Sequence, residues 1–229
     1  MLRAPTNSQS GPRKRKGTNP LPAMSNIGEE KNRPAADEDD DLVSLCRKGD
    51  MGAFEALVEK YQKRMLNIAY RMIGNYEEAC EAVQDTFLSA YRSIGKFRGE
   101  SRFSTWLCSI AINLSKNRLK QMKARSHREG SSIDAPVETE EGQVRVDLPA
   151  DDPPVLEQME KQEVQARVQE CINHLEDEYR EVLVLRDVQG FSYEEIHDIL
   201  KVPDGTVKSR LFRARDAMKE CLKKALGDL

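Results

Sequence analysis

Apolar side chains in this chain recur at helical rather than alternating spacing, and that property excludes most architectures before any other is considered. Phe54, Leu57, Val58, Tyr61, Met65, Ile68, Ala69 and Met72 follow the i, i+3, i+4, i+7 rule of an amphipathic helix. The Gly74-Asn75 pair marks its end. A second helix is expected from residue 76 to about residue 94, burying Val83, Phe87, Ala90, Tyr91 and Ile94 and turning Glu77, Glu78, Glu81 and Asp85 outward. Beyond a glycine-bearing loop, "GKFRGES", the stretch "RFSTWLCSIAINLSKNRLKQMKAR" forms a long third helix. Only 6% of the residues are aromatic, so the expected fold class is all-α.

The periodicity fails in two places, and these failures divide the chain. Residues 1–40, rich in Pro, Ser, Asn and charge, are expected to be a disordered tail. Residues 41–128 form a first helical domain. Residues 129–159, containing "EGSSIDAPVETEEGQVRVDLPADDPP", are an acidic flexible linker with prolines and glycines where a helix cannot run. Such a tether reaches up to ~100 Å when extended or roughly 30 Å as a coil. Residues 160–229 form a second domain. It resumes with Val164, Val168, Cys171, Ile172 and Leu175, followed by "EDEYREVLVLRDVQG", which Gly190 ends. Ser192 and Glu195 are spaced as a capping box. A helix over 193–200, the turn "KVPDG" and a helix over 206–222 then read as a helix-turn-helix.

The formal net charge of −3 suits a nucleic-acid binder poorly until it is mapped along the chain. Residues 42–130 carry 16 basic against 9 acidic side chains, 131–178 carry 3 against 14, and 179–229 carry 10 against 9. The average therefore conceals a basic body, an acidic middle and a nearly neutral C-terminal domain. No stretch approaches the roughly 20 apolar residues of a membrane span, and the basic cluster "PRKRK" has no apolar segment behind it. No membrane insertion and a cytoplasmic location are expected. Five widely spaced cysteines make neither a disulfide framework nor a zinc ribbon. Cys171 with His174, one helical turn apart, is the nearest approach to a ligand pair, and two ligands do not make a site. No metal and no cofactor are expected.

In a helix-turn-helix the second helix lies in the major groove. On "TVKSRLFRAR", Val207, Leu211 and Ala214 are expected to face inward. Lys208, Ser209, Phe212 and Arg213 share an outward face that suits base edges and phosphates, and Arg210 and Arg215 add charge beside it. A neutral domain gains little affinity from phosphate neutralisation, so tethering or docking on a larger partner must hold it on DNA. The first domain offers a different reader. Phe97, Phe103 and Trp106 lie beside Arg98, Arg102 and the amide and basic residues of the third helix. Trp106, Asn113, Lys116, Asn117 and Lys120 fall along one helical face, the mixture that single-stranded or flipped bases require. The acidic row on the second helix would repel DNA and suits a basic protein partner.

"EACEAVQDTFLSAYR", "KFRGESRFSTWLCSIAINL" and "GFSYEEIHDILKVPDGTVKSRLFRAR", in that order, resemble the extracytoplasmic-function (ECF) class of bacterial RNA polymerase sigma factors. The resemblance covers about residues 41–128 and 160–226. It implies that Glu78, Glu81, Gln84 and Asp85 dock on the clamp helices of core RNA polymerase, with the polymerase flap as a further contact. It implies that Phe97, Arg98, Gly99, Glu100 and Ser101 form a loop holding a flipped base of the −10 element. Trp106, Asn113, Lys116, Asn117 and Lys120 would bind there too, in melting the DNA. Lys208, Ser209, Arg210, Phe212, Arg213 and Arg215 would read the −35 element. Promoter DNA, duplex and melted, and an anti-sigma factor are the other partners it implies, and the acidic linker would thread the polymerase's cationic channels. Cys80, Ile112, His197 and Lys201 depart from the pattern, the last two where the helix-turn-helix packs. The basic tail is not part of it.

The function expected is therefore a non-catalytic initiation factor. An autonomous helix-turn-helix regulator is the alternative, but no dimerisation helix supports it. A DNA-processing enzyme would need metal-binding acids, and the single-face row Glu77, Glu78, Glu81 and Asp85 is poorly arranged for two metals.

Overall fold

The computed structural model describes residues 38–129 and 155–226. Most of the expected tail and of the acidic linker lies outside the described residues. Among the described residues there are eight α-helices and no strand: α1 (Asp40–Arg47), α2 (Met51–Ile73), α3 (Tyr76–Ser93), α4 (Phe103–Glu129), α5 (Val155–Asn173), α6 (Asp177–Leu183), α7 (Tyr193–Leu200) and α8 (Asp204–Leu226).

The first four helices form one half, and short polar residues set their ends. The Asp50 carboxylate accepts from the Ala53 N–H at 3.1 Å and starts α2. Gly74, in the left-handed region at φ +82°, stops it. Asn75 caps α3 by accepting from the Glu78 N–H at 2.9 Å. The α2 stripe predicted from periodicity is buried at Phe54, Leu57, Tyr61, Met65, Ile68, Ala69 and Met72, with Val58 half-buried, and packs on α3 and α4. The fully buried Leu57, Met65, Ile68 and Met72 each contribute about 1.5–3 kcal/mol of transfer free energy. Asp39 is fully buried and fastens α1 to α2, accepting from the Tyr61 hydroxyl and, at 2.7 Å, from Lys60. That hydrogen bond raises the Lys60 pKa. Tyr91, expected inside, is 41% exposed. Small side chains, Ala79, Ala82 and Ala90, fill the buried face of α3 instead.

The second half comprises α5 to α8. Helix α5 begins at Val155, inside the stretch expected to be linker, directly after Pro153-Pro154. Proline is preorganised for a helix start, and the periodicity that would have revealed this turn is weak there. Val164, where the apolar pattern resumes, is 46% exposed. Helix α6 runs on through a wider π-type turn, Val184–Val188, with Val182, Val184 and Leu185 fully buried. The capping box forms as expected: Ser192 Oγ accepts from the Glu195 N–H, and Glu195 Oε2 accepts from the Ser192 N–H at 2.8 Å. Helix α8 begins at Asp204, two residues before the expected start.

One expectation about the cysteines is overturned. Cys171 on α5 and Cys221 on α8 are joined by a disulfide, with Cα atoms 5.7 Å apart. Fifty residues separate them in sequence, so the pairing is a product of helix crossing and leaves no trace in spacing. The His174 ring Nδ1 lies 2.8 Å from the Glu170 carbonyl.

A tether leaves the placement of two domains open, but here the halves pack on each other through a polar seam. Arg180 of α6 is 2% exposed and donates to the carbonyls of Ile172 (3.1 Å), Asn173 (2.5 Å) and Leu175 (3.0 Å) in its own half. It also donates to Met72 (2.7 Å) across the seam. Ile172, Asn173 and Met72 lie in the last turns of α5 and α2, and Leu175 follows α5, so one guanidinium caps a helix end in each half. Burial lowers its pKa, a desolvation cost that the four bonds offset. Arg71 donates to Gln169 at 2.8 Å, and Arg64 to Gln189 at 3.2 Å while lying 4.4 Å over the Phe191 ring. Gly74 sits where a Cβ would fall 2.6 Å from the Asn173 amide. Its glycine is needed for both the left-handed turn and this approach.

Candidate nucleic-acid interface

The loop between α3 and α4 is anchored from below. Phe97 is buried, 7% exposed, and its ring lies 5.0 Å from Trp106 and 6.0 Å from Phe103, with Arg47 5.8 Å over its face. Arg47 also donates to the Phe97 carbonyl. Phe97 therefore supports the loop from the core in this conformation. Arg98, Gly99 and Glu100 are exposed above it and Ser101 is half-buried; Gly99 at φ +71° allows the tip to turn. Trp106 is half-buried in the aromatic stack and borders the site as an edge. Asn113, Lys116, Asn117 and Lys120 are exposed along α4.

On α8 the core side matches expectation, with Val207, Leu211 and Ala214 buried. Lys208, Ser209, Phe212 and Arg213 face outward, and Phe212 is 74% exposed. An aromatic ring that exposed contributes nothing to the core. Lys208 lies 5.5 Å over the Tyr193 ring. Arg213 donates to the Tyr179 hydroxyl at 3.3 Å, which raises its pKa. The other two candidate readers are engaged by carboxylates. Arg210 is half-buried against Glu178 (2.6 Å) and Glu181 (3.5 Å), and Arg215 pairs with Asp187 at 2.6 and 2.9 Å. The two departures noted near the turn are accommodated. His197 is exposed, with Nδ1 2.8 Å from the Val202 carbonyl, and closes the end of α7. Lys201 takes the left-handed conformation at φ +56°, the one non-glycine to do so among the described residues.

The acidic row on α3 divides. Glu78 and Glu81 bind Arg118 of α4, while Gln84 and Asp85 are exposed. Leu88 and Tyr91, exposed further along α3, extend that surface with apolar area; helical periodicity counted Tyr91 as core and so missed it.

Glu181 also escaped sequence reasoning, being one acid in the acidic run "EDEYRE". It is 3% exposed and accepts from Lys116 of α4 at 2.7 Å and from Arg210 of α8 at 3.5 Å. A single carboxylate thus lies between a candidate reader in each half. Asp177 accepts from Lys123 at 2.8 Å, and Arg102 reaches to 3.9 Å from Glu195 on α7. The acidic side of α6 therefore pairs with part of the basic face of α4. These charge-assisted contacts can be exchanged for phosphates, at a cost set by the partner's own contacts.

Two family models match the chain: Sigma-70 region 2 over residues 57–125, and Sigma-70, region 4 over residues 165–218. The RNA polymerase sigma-H factor of Pseudomonas aeruginosa is 38% identical over 195 residues, 84% of this chain and 97% of that protein. The ECF RNA polymerase sigma factor SigW of Bacillus subtilis is 36% identical over 188 residues, 79% and 95% of the two chains. The solved structure of CnrH in complex with the cytosolic domain of CnrY shares the fold, with a TM-score of 0.60 at 22% identity over 82% of this chain and 99% of that one.

Proposed function

Because the chain belongs to the ECF class of RNA polymerase sigma factors, we propose that it works as a two-handed promoter reader whose hands are held together until polymerase parts them. It binds core RNA polymerase, directs it to promoters through −10 and −35 elements and promotes melting there. It acts in the cytoplasm as an initiation factor, without a catalytic step of its own. Among the described residues no helix is long and apolar enough to cross a membrane.

In this reading Lys208, Ser209, Phe212 and Arg213 read the −35 element. Arg210 and Arg215 position α8 through their acidic partners. The loop at Arg98, Gly99, Glu100 and Ser101 receives a −10 base over the floor made by Phe97 and Trp106. Asn113, Lys116, Asn117 and Lys120 hold the unpaired strand, so its binding energy drives opening. Gln84 and Asp85, with Glu78 and Glu81 beside them, dock on the polymerase clamp, and the C-terminal half meets the flap. An anti-sigma factor is the partner that restrains it.

The observation that carries this reading is the outward face of α8 together with the exposed amide and lysine row on α4 in one chain. Co-elution of the purified chain with core polymerase, followed by opening of promoter DNA, is the test. Tight specific binding of the free chain to duplex DNA without any complex with core would hand the case to an autonomous regulator.

A further inference from the structure

We infer that Cys171 and Cys221 are a redox couple that sets how readily the two halves of the chain part. The inference rests on the proposal that the halves separate when polymerase binds. Disulfides in cytosolic proteins are rare, and those that occur are mostly transient and redox-sensing. A bonded pair in a factor that works beside RNA polymerase therefore calls for a reason other than permanent stability.

Placement supplies that reason. Cys171 lies on α5 between Gln169 and Asn173, the two residues that dock on α2. Gln169 accepts from Arg71 at 2.8 Å and donates to the Tyr70 carbonyl at 3.4 Å. It also holds the Asn173 side chain at 2.8 Å, against Gly74. Ile172 and Asn173 give their carbonyls to Arg180, which reaches Met72 in the other half. The bond to Cys221 thus ties the docking turn to α8, the helix that carries the −35 face. It also bolts an apolar groove of about 680 Å³, with Val168 and Ile172 on the α5 wall and Met218 and Leu222 on the α8 wall. Glu163, Val164, Gln165, Ala166 and Arg167 of α5 are all exposed. With the sulfurs reduced, the end of α5 keeps the Arg180 bonds and the packing of Val168 and Ile172 but loses its covalent tie to α8. Oxidation preorganises the docking turn and favours the packed arrangement; reduction lets α5 shift and favours parting.

Access is asymmetric. Cys171 is 1% exposed and Cys221 half-buried, so a small thiol or disulfide meets Cys221 first. In oxidation the Cys221 thiolate attacks a low-molecular-weight disulfide such as glutathione disulfide, expelling one glutathione thiolate. The Cys171 thiolate then attacks Cys221 Sγ and expels the second. Two protein thiols lose two electrons and two protons, and the glutathione disulfide gains them as two thiols.

The test uses the full chain, labelled at its terminal amine, after treatment with dithiothreitol or with glutathione disulfide. Alkylation and mass measurement should count five free thiols and three respectively. Affinity for core polymerase should be at least about three-fold weaker for the oxidised chain. Cys221→Ser and Cys221→Ala should behave like reduced wild type after either treatment. Equal affinities in the two states, a redox difference that survives in both variants, or five thiols after oxidant would overturn the inference. If no form binds core, the initiation-factor proposal fails instead. Small-angle scattering on the same samples then decides the couple: it stands if the oxidised chain is the more compact and falls if the two profiles coincide.

Discussion

Glu181 gives the sharpest test of the seam, because one buried carboxylate serves both halves. Replacing it by glutamine keeps the volume and removes the charge. At an effective dielectric of 20, the Lys116 contact at 2.7 Å and the Arg210 contact at 3.5 Å correspond to gross attractions of about 6 and 5 kcal/mol. Desolvating the carboxylate costs several kcal/mol, and Lys116 remains 42% exposed, so solvent screens its share further. The net value expected for the Lys116 arm, the one that crosses the seam, is about 1–2 kcal/mol. That is a factor of about 5–30 in the balance between packed and parted halves. The assay is a double-mutant cycle of Lys116→Gln and Glu181→Gln, read by denaturant unfolding of the full chain. Scattering profiles at low and high salt accompany it. Coupling near 1–2 kcal/mol, with Glu181→Gln more expanded than wild type at low salt, is the expected result. Coupling under about 0.3 kcal/mol, within the additivity of independent sites, would refute the idea that this contact joins the halves.

The remaining predictions address the turn, the core and the two proposed reading faces. Lys201→Gly should stabilise the chain by up to about 1 kcal/mol, because a left-handed backbone is strained for lysine; a raised unfolding midpoint checks it. Cys108, whose thiol burial pushes up to about 12 from 9.0, should lend stability that is intact below pH 9 and is lost as pH climbs from 9 toward 12. Between pH 8 and 10 wild type should lose on the order of 1 kcal/mol more than Cys108→Ala, by chemical denaturation at the two values. Lys208→Ala or Phe212→Ala in the complex with core polymerase should weaken discrimination at the −35 element by about 1–3 kcal/mol; unchanged preference among −35 variants would show that the face is misassigned. Asn113→Ala should slow promoter opening more than it weakens first binding to duplex, and equal loss in both steps would count against the flipped-base site.

Much of this protein was determined by sequence, for local reasons. The stripe from Phe54 to Met72, the caps at Asn75 and Ser192, the glycines at 74 and 190 and the inward Val207, Leu211 and Ala214 all depend on neighbours within a few residues. Periodicity and capping chemistry report such relations directly. The outward set Lys208, Ser209, Phe212 and Arg213 was legible for the same reason: once the inward positions of a helix are known, the outward ones follow. The disulfide, the Arg180 caps and the role of Glu181 were decided only by tertiary structure. Cys171 and Cys221 stand 50 residues apart, Arg180 reaches Met72 across 108, and Lys116 meets Glu181 across 65. Nothing in local spacing records which helices will cross. Phe97 and Tyr91 exchanged their expected environments because an aromatic residue suits both a core and a surface, and only the packing of α1, α3 and α4 around them chose between the two.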